Sequence, residues 1–297
     1  MTGAVTQYLG AALAVGTFAT LGAVGVAWLR VSWSAVMLLA WRRPRLGPFD
    51  PVARRQLAVF GTALAVMNLS FYLAIERLPL GTAVAIEFSG PIAVAAFGGR
   101  SRRHLLAVAL AATAVLLLVD VRWQASADGV AYALAAAAMW AGYIVWGQRV
   151  GGGGAAKGLD GLAIATTIGA LAVAPLGVAG LWGLLPGGRG SSAITADGGR
   201  SWELSPALAV AVCAGVALCS NVVPYALDQV VLAKVAAARF ALLSTLLPVT
   251  AALIGVVALG QRPTTTELAG IGLVAVALAI GSGRAPPKPI APRPRRS

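Results

Sequence analysis

One histidine, His104, and two cysteines, Cys213 and Cys219, leave this 297-residue chain little material for metal or nucleophile chemistry. No His-based triad and no His/Cys metal cluster can be assembled from them. A spacing of six residues turns the two cysteines to different faces of one helix, which argues against a mutual disulfide and makes both packing residues. Charge is also scarce. Asp, Glu, Lys and Arg together make up 11% of the chain, against about 25% in an ordinary soluble domain. A water-soluble enzyme is excluded, and no cofactor is implied. The charge that is present is one-sided, with 23 Lys and Arg against 10 Asp and Glu and a net charge of +13. The cations gather in short clusters between apolar runs, such as Arg42-Arg43-Pro44-Arg45 and Arg100-Ser101-Arg102-Arg103. That is the distribution of cytoplasmic helix ends, so no nucleic-acid partner is expected.

Apolar residues, by contrast, make up 59% of the chain, and the mean hydropathy is +0.83. Ten membrane spans of about 20 residues would use roughly 200 residues, and the apolar side chains are numerous enough to fill them. Apolar runs broken by Arg, Gly and Pro predict ten helices near 3–21, 24–41, 56–76, 80–97, 105–119, 129–147, 161–184, 206–231, 236–257 and 267–282. The fold class expected is therefore all-α, a polytopic membrane protein. No basic region precedes the first apolar run, so it reads as a span and not as a cleavable signal peptide.

With the N-terminus inside, 16 Lys and Arg fall on the cytoplasmic side and five on the other, namely Arg77, Arg122, Arg189, Arg200 and Arg262. Such asymmetry predicts an even number of spans with both termini cytoplasmic. The tail 284–297, rich in Pro and Arg, suits a disordered segment lying against anionic headgroups of the bilayer. Five spans per half would insert the two halves in opposite orientations, as in inverted-repeat carriers. Superposing Pro91 on Pro248 aligns 80–97 with 236–257 and brings Arg77 opposite Lys234. The halves expected are residues 1–120 and 129–283, with the substrate path between them near the bilayer midplane.

An ionisable group at the centre of a span costs about 2.5–3.5 kcal/mol on insertion scales, so it must face the bundle interior or water. Glu87 stands there, as a proton or ammonium site or as a buried acid held by Arg30. Arg30 carries a planar guanidinium suited to a substrate carboxylate, with pairing to Glu87 as its competing use. Asn221, Pro224, Tyr225 and Asp228 recur at intervals of three and four and would line one face of a cavity. Asp228 could equally be an interfacial acid paired with Lys234 or Arg239. Asn68, Tyr72 and Glu76 form a parallel stripe on 56–76, with Glu76 expected to be solvated at the outer interface. Trp140, Tyr143 and Gly147 share a face of 129–147, as a pocket wall or as ordinary packing.

The run Pro79-Leu80-Gly81-Thr82-Ala83-Val84-Ala85-Ile86-Glu87-Phe88-Ser89-Gly90-Pro91 closely resembles a signature of the threonine/homoserine exporters, EamA-type members of the drug/metabolite transporter superfamily. The similarity continues in Trp140-Ala141-Gly142-Tyr143, Gly147-Gln148-Arg149, Pro224-Tyr225-Ala226-Leu227-Asp228 and Ala238-Arg239-Phe240. It implies a ten-helix plasma-membrane carrier of two inverted five-helix repeats that exports small amino acids and draws on the proton gradient. One departure is Leu247 before Pro248, where relatives place a Glu. The substrate or proton site expected comprises Glu87, Asp228, Arg30, Tyr225, Asn221, Tyr143, Trp140, Asn68, Tyr72 and Arg239. The partners expected are a small amino acid, protons and the lipid bilayer, with a homodimer left open. Rival readings are export of another drug or metabolite by the same fold, and an uncoupled channel or scaffold.

Overall fold

The computed structural model describes residues 2–44, 50–97, 102–151, 158–183, 204–232 and 247–281. Among the described residues all regular structure is helical. In chain order the helices are α1 (Thr2–Val15), α2 (Phe18–Arg42), α3 (Pro51–Ile75), α4 (Leu80–Glu87), α5 (Ser89–Phe97) and α6 (Arg102–Gly151). They continue with α7 (Gly158–Ala172), α8 (Ala174–Leu181), α9 (Pro206–Ala217), a π-helical turn (Leu218–Val222), α10 (Val223–Leu232), α11 (Leu247–Leu259) and α12 (Thr265–Gly281).

Local sequence sets several starts. Asp50 caps α3 by accepting the Ala53 N–H at 2.6 Å, and Pro51 occupies the first turn, where its missing N–H costs nothing. Ser205 and Pro206 repeat the device at α9, with the Leu208 N–H donating at 3.3 Å. At α12 the cap is reciprocal: Glu267 N–H donates to Thr264 Oγ1 at 3.2 Å, while Thr264 N–H donates to Glu267 Oε2 at 2.9 Å.

The structure departs from ten uninterrupted segments chiefly by breaking them. The 80–97 run is two helices parted at Phe88, and 161–184 is two helices bent by 54° at Val173. The expected boundary between 3–21 and 24–41 is present as Gly22, whose φ of +69° is open to glycine and strained for other residues. The runs 105–119 and 129–147 are joined instead as α6, a 50-residue element. At 1.5 Å per residue it would be about 75 Å long, more than twice a bilayer core, and Ser126 divides it by leaving helical geometry (φ −159°, ψ 74°). By length and composition four helices can cross a membrane, Phe18–Arg42, Pro51–Ile75, Ser126–Gly147 and Pro206–Val230, and the bent pair Gly158–Ala172 and Ala174–Leu181 makes a fifth. Leu80–Val94, Leu105–Ala114, Val249–Leu259 and Thr265–Ala277 are apolar but shorter. The Pro-rich tail, residues 186–203 and the first part of 236–257 lie outside the described residues.

Polar contacts sort the turns between two ends. Arg77, just beyond α3, pairs with its neighbour Glu76 and, at 2.6 Å, with Asp128 beside the α6 break. Leu80 N–H donates to Gln261 Oε1 at 3.0 Å, which brings the α11–α12 turn to the same end. At the far end of α3, some 37 Å away by helix rise, Arg42 Nε meets Asp160 Oδ1 at 2.8 Å and joins α2 to α7. Glu76 is thus not solvated as expected: it is buried, and burial lifts its carboxyl above the usual range against the opposing pull of Arg77.

Helices from the two halves approach at small residues, as tight membrane packing requires. A Cβ on Gly61 of α3 would collide with the Ala165 carbonyl of α7, and one on Gly169 with the Gly61 carbonyl. Gly81 of α4 also packs against Ala252 of α11, at a somewhat greater distance that still leaves no room for a Cβ. Leu171, Trp182, Leu253 and Val257 point outward, the placement of lipid-facing side chains.

Candidate functional site

The interior site is built where α2, α3, α4, α6 and the α9–α10 span converge. Its most unusual element is the π turn. Pro224 has no N–H to give the Ser220 carbonyl four residues earlier, and Arg30 Nη2, from α2, donates to that oxygen at 3.0 Å. Arg30 is buried, and its guanidinium lies 4.9 Å from the centre of the Tyr72 ring, a cation–π contact. Its Nε and Nη1 atoms meet no acceptor at hydrogen-bonding geometry. A buried cation with unused donors is costly unless something else meets them.

Glu87, the last residue of α4, is buried and lies within the electrostatic reach of Arg30. Among the described residues it forms no ion pair. Arg30 and Glu87 therefore make no direct ion pair: one guanidinium nitrogen of Arg30 is held by the Ser220 carbonyl and its face lies over Tyr72, with Nε and Nη1 left free. Phe88, next in sequence, packs edge-on against Trp140 with ring centres 4.7 Å apart.

The aromatic wall is continuous. Tyr143 lies 5.7 Å from Tyr225 and stacks on Phe60 at 5.2 Å. Asn68 Nδ2 donates to Tyr225 Oη at 3.1 Å and to the Leu64 carbonyl at 2.8 Å. Asn221, inside the π turn, is fully buried with neither amide atom partnered. Asp228, two turns further along, is half-buried. Nine of the ten residues expected from the sequence thus lie on elements that meet in the interior, while Arg239 lies outside the described residues.

The described residues hold no group of three His, Cys, Asp or Glu arranged for a metal, and Cys213 and Cys219 are both free. What the arrangement offers is a buried cation and a buried acid held apart, beside hydroxyl and amide groups.

Comparison with known proteins settles the class. Residues 127–282 match the model of the EamA-like transporter family. The threonine/homoserine exporter RhtA of Escherichia coli (strain K12) is 35% identical over 280 residues, covering 92% of this chain and 86% of the relative. The exporter of the same name from Salmonella typhimurium (strain LT2) is 33% identical over 277 residues, with the same shares covered.

This chain belongs to the EamA-like transporter family. Its relatives are transporters and not enzymes, and membership with the apolar helices makes it a membrane protein. The family match begins one residue after Ser126, where α6 breaks.

Sequence reasoning missed two parts of this EamA-like interior. Tyr8 of α1 is buried and within electrostatic range of Glu87, Tyr225 and Asp228. The polar run Thr6-Gln7-Tyr8 at the start of an otherwise apolar segment was the available signal. Glu267, fully buried, receives the Thr82 hydroxyl at 2.7 Å. Nothing in the sequence distinguishes that acid from an exposed helix-capping one.

Proposed function

We propose that the chain is a secondary transporter that exports small amino acids of the threonine and homoserine kind across the plasma membrane, coupled to protons, by alternating access. The observation that carries this reading is the unpaired coexistence of Arg30 and Glu87 in one buried site. A zwitterion fits that arrangement. Its carboxylate would take the unused guanidinium donors of Arg30, and its ammonium would sit at Glu87 or Asp228. The names of the relatives support the substrate class, and Tyr225, Tyr143 and Asn221 offer partners for a side-chain hydroxyl.

The experiment is competition in proteoliposomes by homoserine, its decarboxylated amine and its deaminated acid. A buried group left without its partner costs about 1–3 kcal/mol, more when charged, so each analogue should compete at least about tenfold more weakly. Equal competition by all three would overturn the zwitterion site in favour of export of some other metabolite.

The architecture proposed is ten passages in two inverted five-helix repeats, residues 1–120 and 129–283, with both termini cytoplasmic. The grouping of turns at two ends and the basic asymmetry support it. Reporter fusions after residue 282 and near Gly151 should both report cytoplasm, and an external signal at either would contradict the inverted repeat.

A further inference from the structure

The end of the bundle that carries Arg77 is closed by buried polar contacts, and they join the first half of the chain to the second. Leu80 N–H and Thr82 Oγ1, in the first turn of α4, donate to Gln261 at 3.0 Å and to Glu267 at 2.7 Å. Thr82 and Glu267 are fully buried and Gln261 nearly so. Glu267 is itself held by the Thr264 N–H at 2.9 Å and hydroxyl at 3.1 Å, so its carboxylate is fixed before Thr82 reaches it. Gly81 lies between these two donors and packs on Ala252, where an added Cβ would clash, so the hydrogen bonds and a close helix–helix approach fall in the same turn.

Contacts of this kind are selective. Leu80 N–H is one of the first-turn amides that a helix cannot satisfy internally, and here a side chain from the other half satisfies it. A carboxylate in an apolar interior holds a hydroxyl more firmly than a neutral acceptor would. At the opposite end the corresponding link between halves is Arg42–Asp160, whose side chains are 37% and 38% exposed, and surface pairs of that kind contribute little.

We infer that Gln261 and Glu267 are positioning residues that latch α4, and Glu87 at its far end, to the second half, and that this latch must release for the site to open toward the Arg77 side. The inference rests on the alternating-access reading and on the charge-based orientation, which makes the Arg77 side external.

The test uses the native thiol Cys213 as a reporter, since it is fully buried inside the bundle, in a Cys219→Ser background that removes the exposed thiol. A small membrane-impermeant methanethiosulfonate reagent is applied to right-side-out and to inside-out vesicles. Thr82→Val keeps the shape of the side chain and deletes the donor, Thr82→Ser restores it, and Glu267→Gln weakens the acceptor. Loss of a hydrogen bond to a charged group should speed modification of Cys213 about tenfold or more in Thr82→Val, less in Glu267→Gln and not at all in Thr82→Ser. The acceleration should be confined to one face of the membrane. That outcome stands even if the exported compound is not an amino acid, and the face on which it occurs reads the orientation separately. Unchanged rates in Thr82→Val, or equal acceleration from both faces, would overturn the latch.

Discussion

Glu87→Gln should abolish transport driven by a pH gradient while leaving the protein folded and inserted. The substitution keeps the size and hydrogen-bonding capacity of the side chain but removes the one proton it can exchange. Histidine offers no replacement, because the only one, His104, stands in a basic stretch of the sequence and not among the site residues; Asp228, the other acid of the site, lies beyond the π turn on α10. Arg30 cannot substitute either, since a guanidinium does not deprotonate in proteins. Purified Glu87→Gln in proteoliposomes, with an imposed proton gradient and labelled homoserine, should show concentrative uptake reduced to the level of empty vesicles. Uncoupled exchange between equal substrate pools should survive in part, because the substrate's ammonium can still meet an amide oxygen. A well-folded Glu87→Gln protein that still concentrates substrate would make Glu87 structural.

Substitution of Arg30 should act on affinity. Its guanidinium holds the Ser220 carbonyl with one nitrogen and lies over Tyr72, leaving Nε and Nη1 for a substrate. Hydrogen bonds to charged groups contribute about 1.5–3 kcal/mol, so Arg30→Gln should raise the half-saturation constant roughly 10- to 150-fold. Arg30→Lys is the more telling variant. A lysine ammonium is a compact point charge without the planar fork, so it can serve the Ser220 carbonyl or the substrate carboxylate but serves both poorly. An increase between those of the wild type and Arg30→Gln is expected for it. If Arg30→Gln folds and keeps the wild-type half-saturation constant, Arg30 only props the π turn.

The candidate site residues stand out in the sequence because the membrane makes exceptions conspicuous. Glu87 and Arg30 stand out in apolar runs where every charge has a cost, and the Asn221, Tyr225, Asp228 spacing marks a helix face. What failed was continuity. Hydropathy averages over a window and cannot register a single residue that leaves helical geometry, so the breaks at Phe88 and Val173 were absorbed into longer spans. The division of α6 at Ser126 falls inside the nine-residue interval, 120–128, that hydropathy leaves between two expected helices, although the helix runs on either side of that one residue.

By itself, the sequence determined that this chain is helical, that it belongs in a bilayer, which family it resembles and which ionisable groups need an explanation. Each of those follows from composition, period or local motif. Only the tertiary structure decided how the groups are used. Arg30 could have neutralised Glu87, and the two differ in which partner lies nearest, a matter of three-dimensional placement that no spacing along the chain encodes. Its guanidinium instead meets a carbonyl 190 residues away, at the turn where Pro224 removes a donor. Glu267 likewise reads in sequence as an ordinary capping residue of α12, and it becomes a buried acceptor only because α4 from the other half is packed against it. Local chemistry fixes what a residue can do, and packing between distant segments selects which partner it meets.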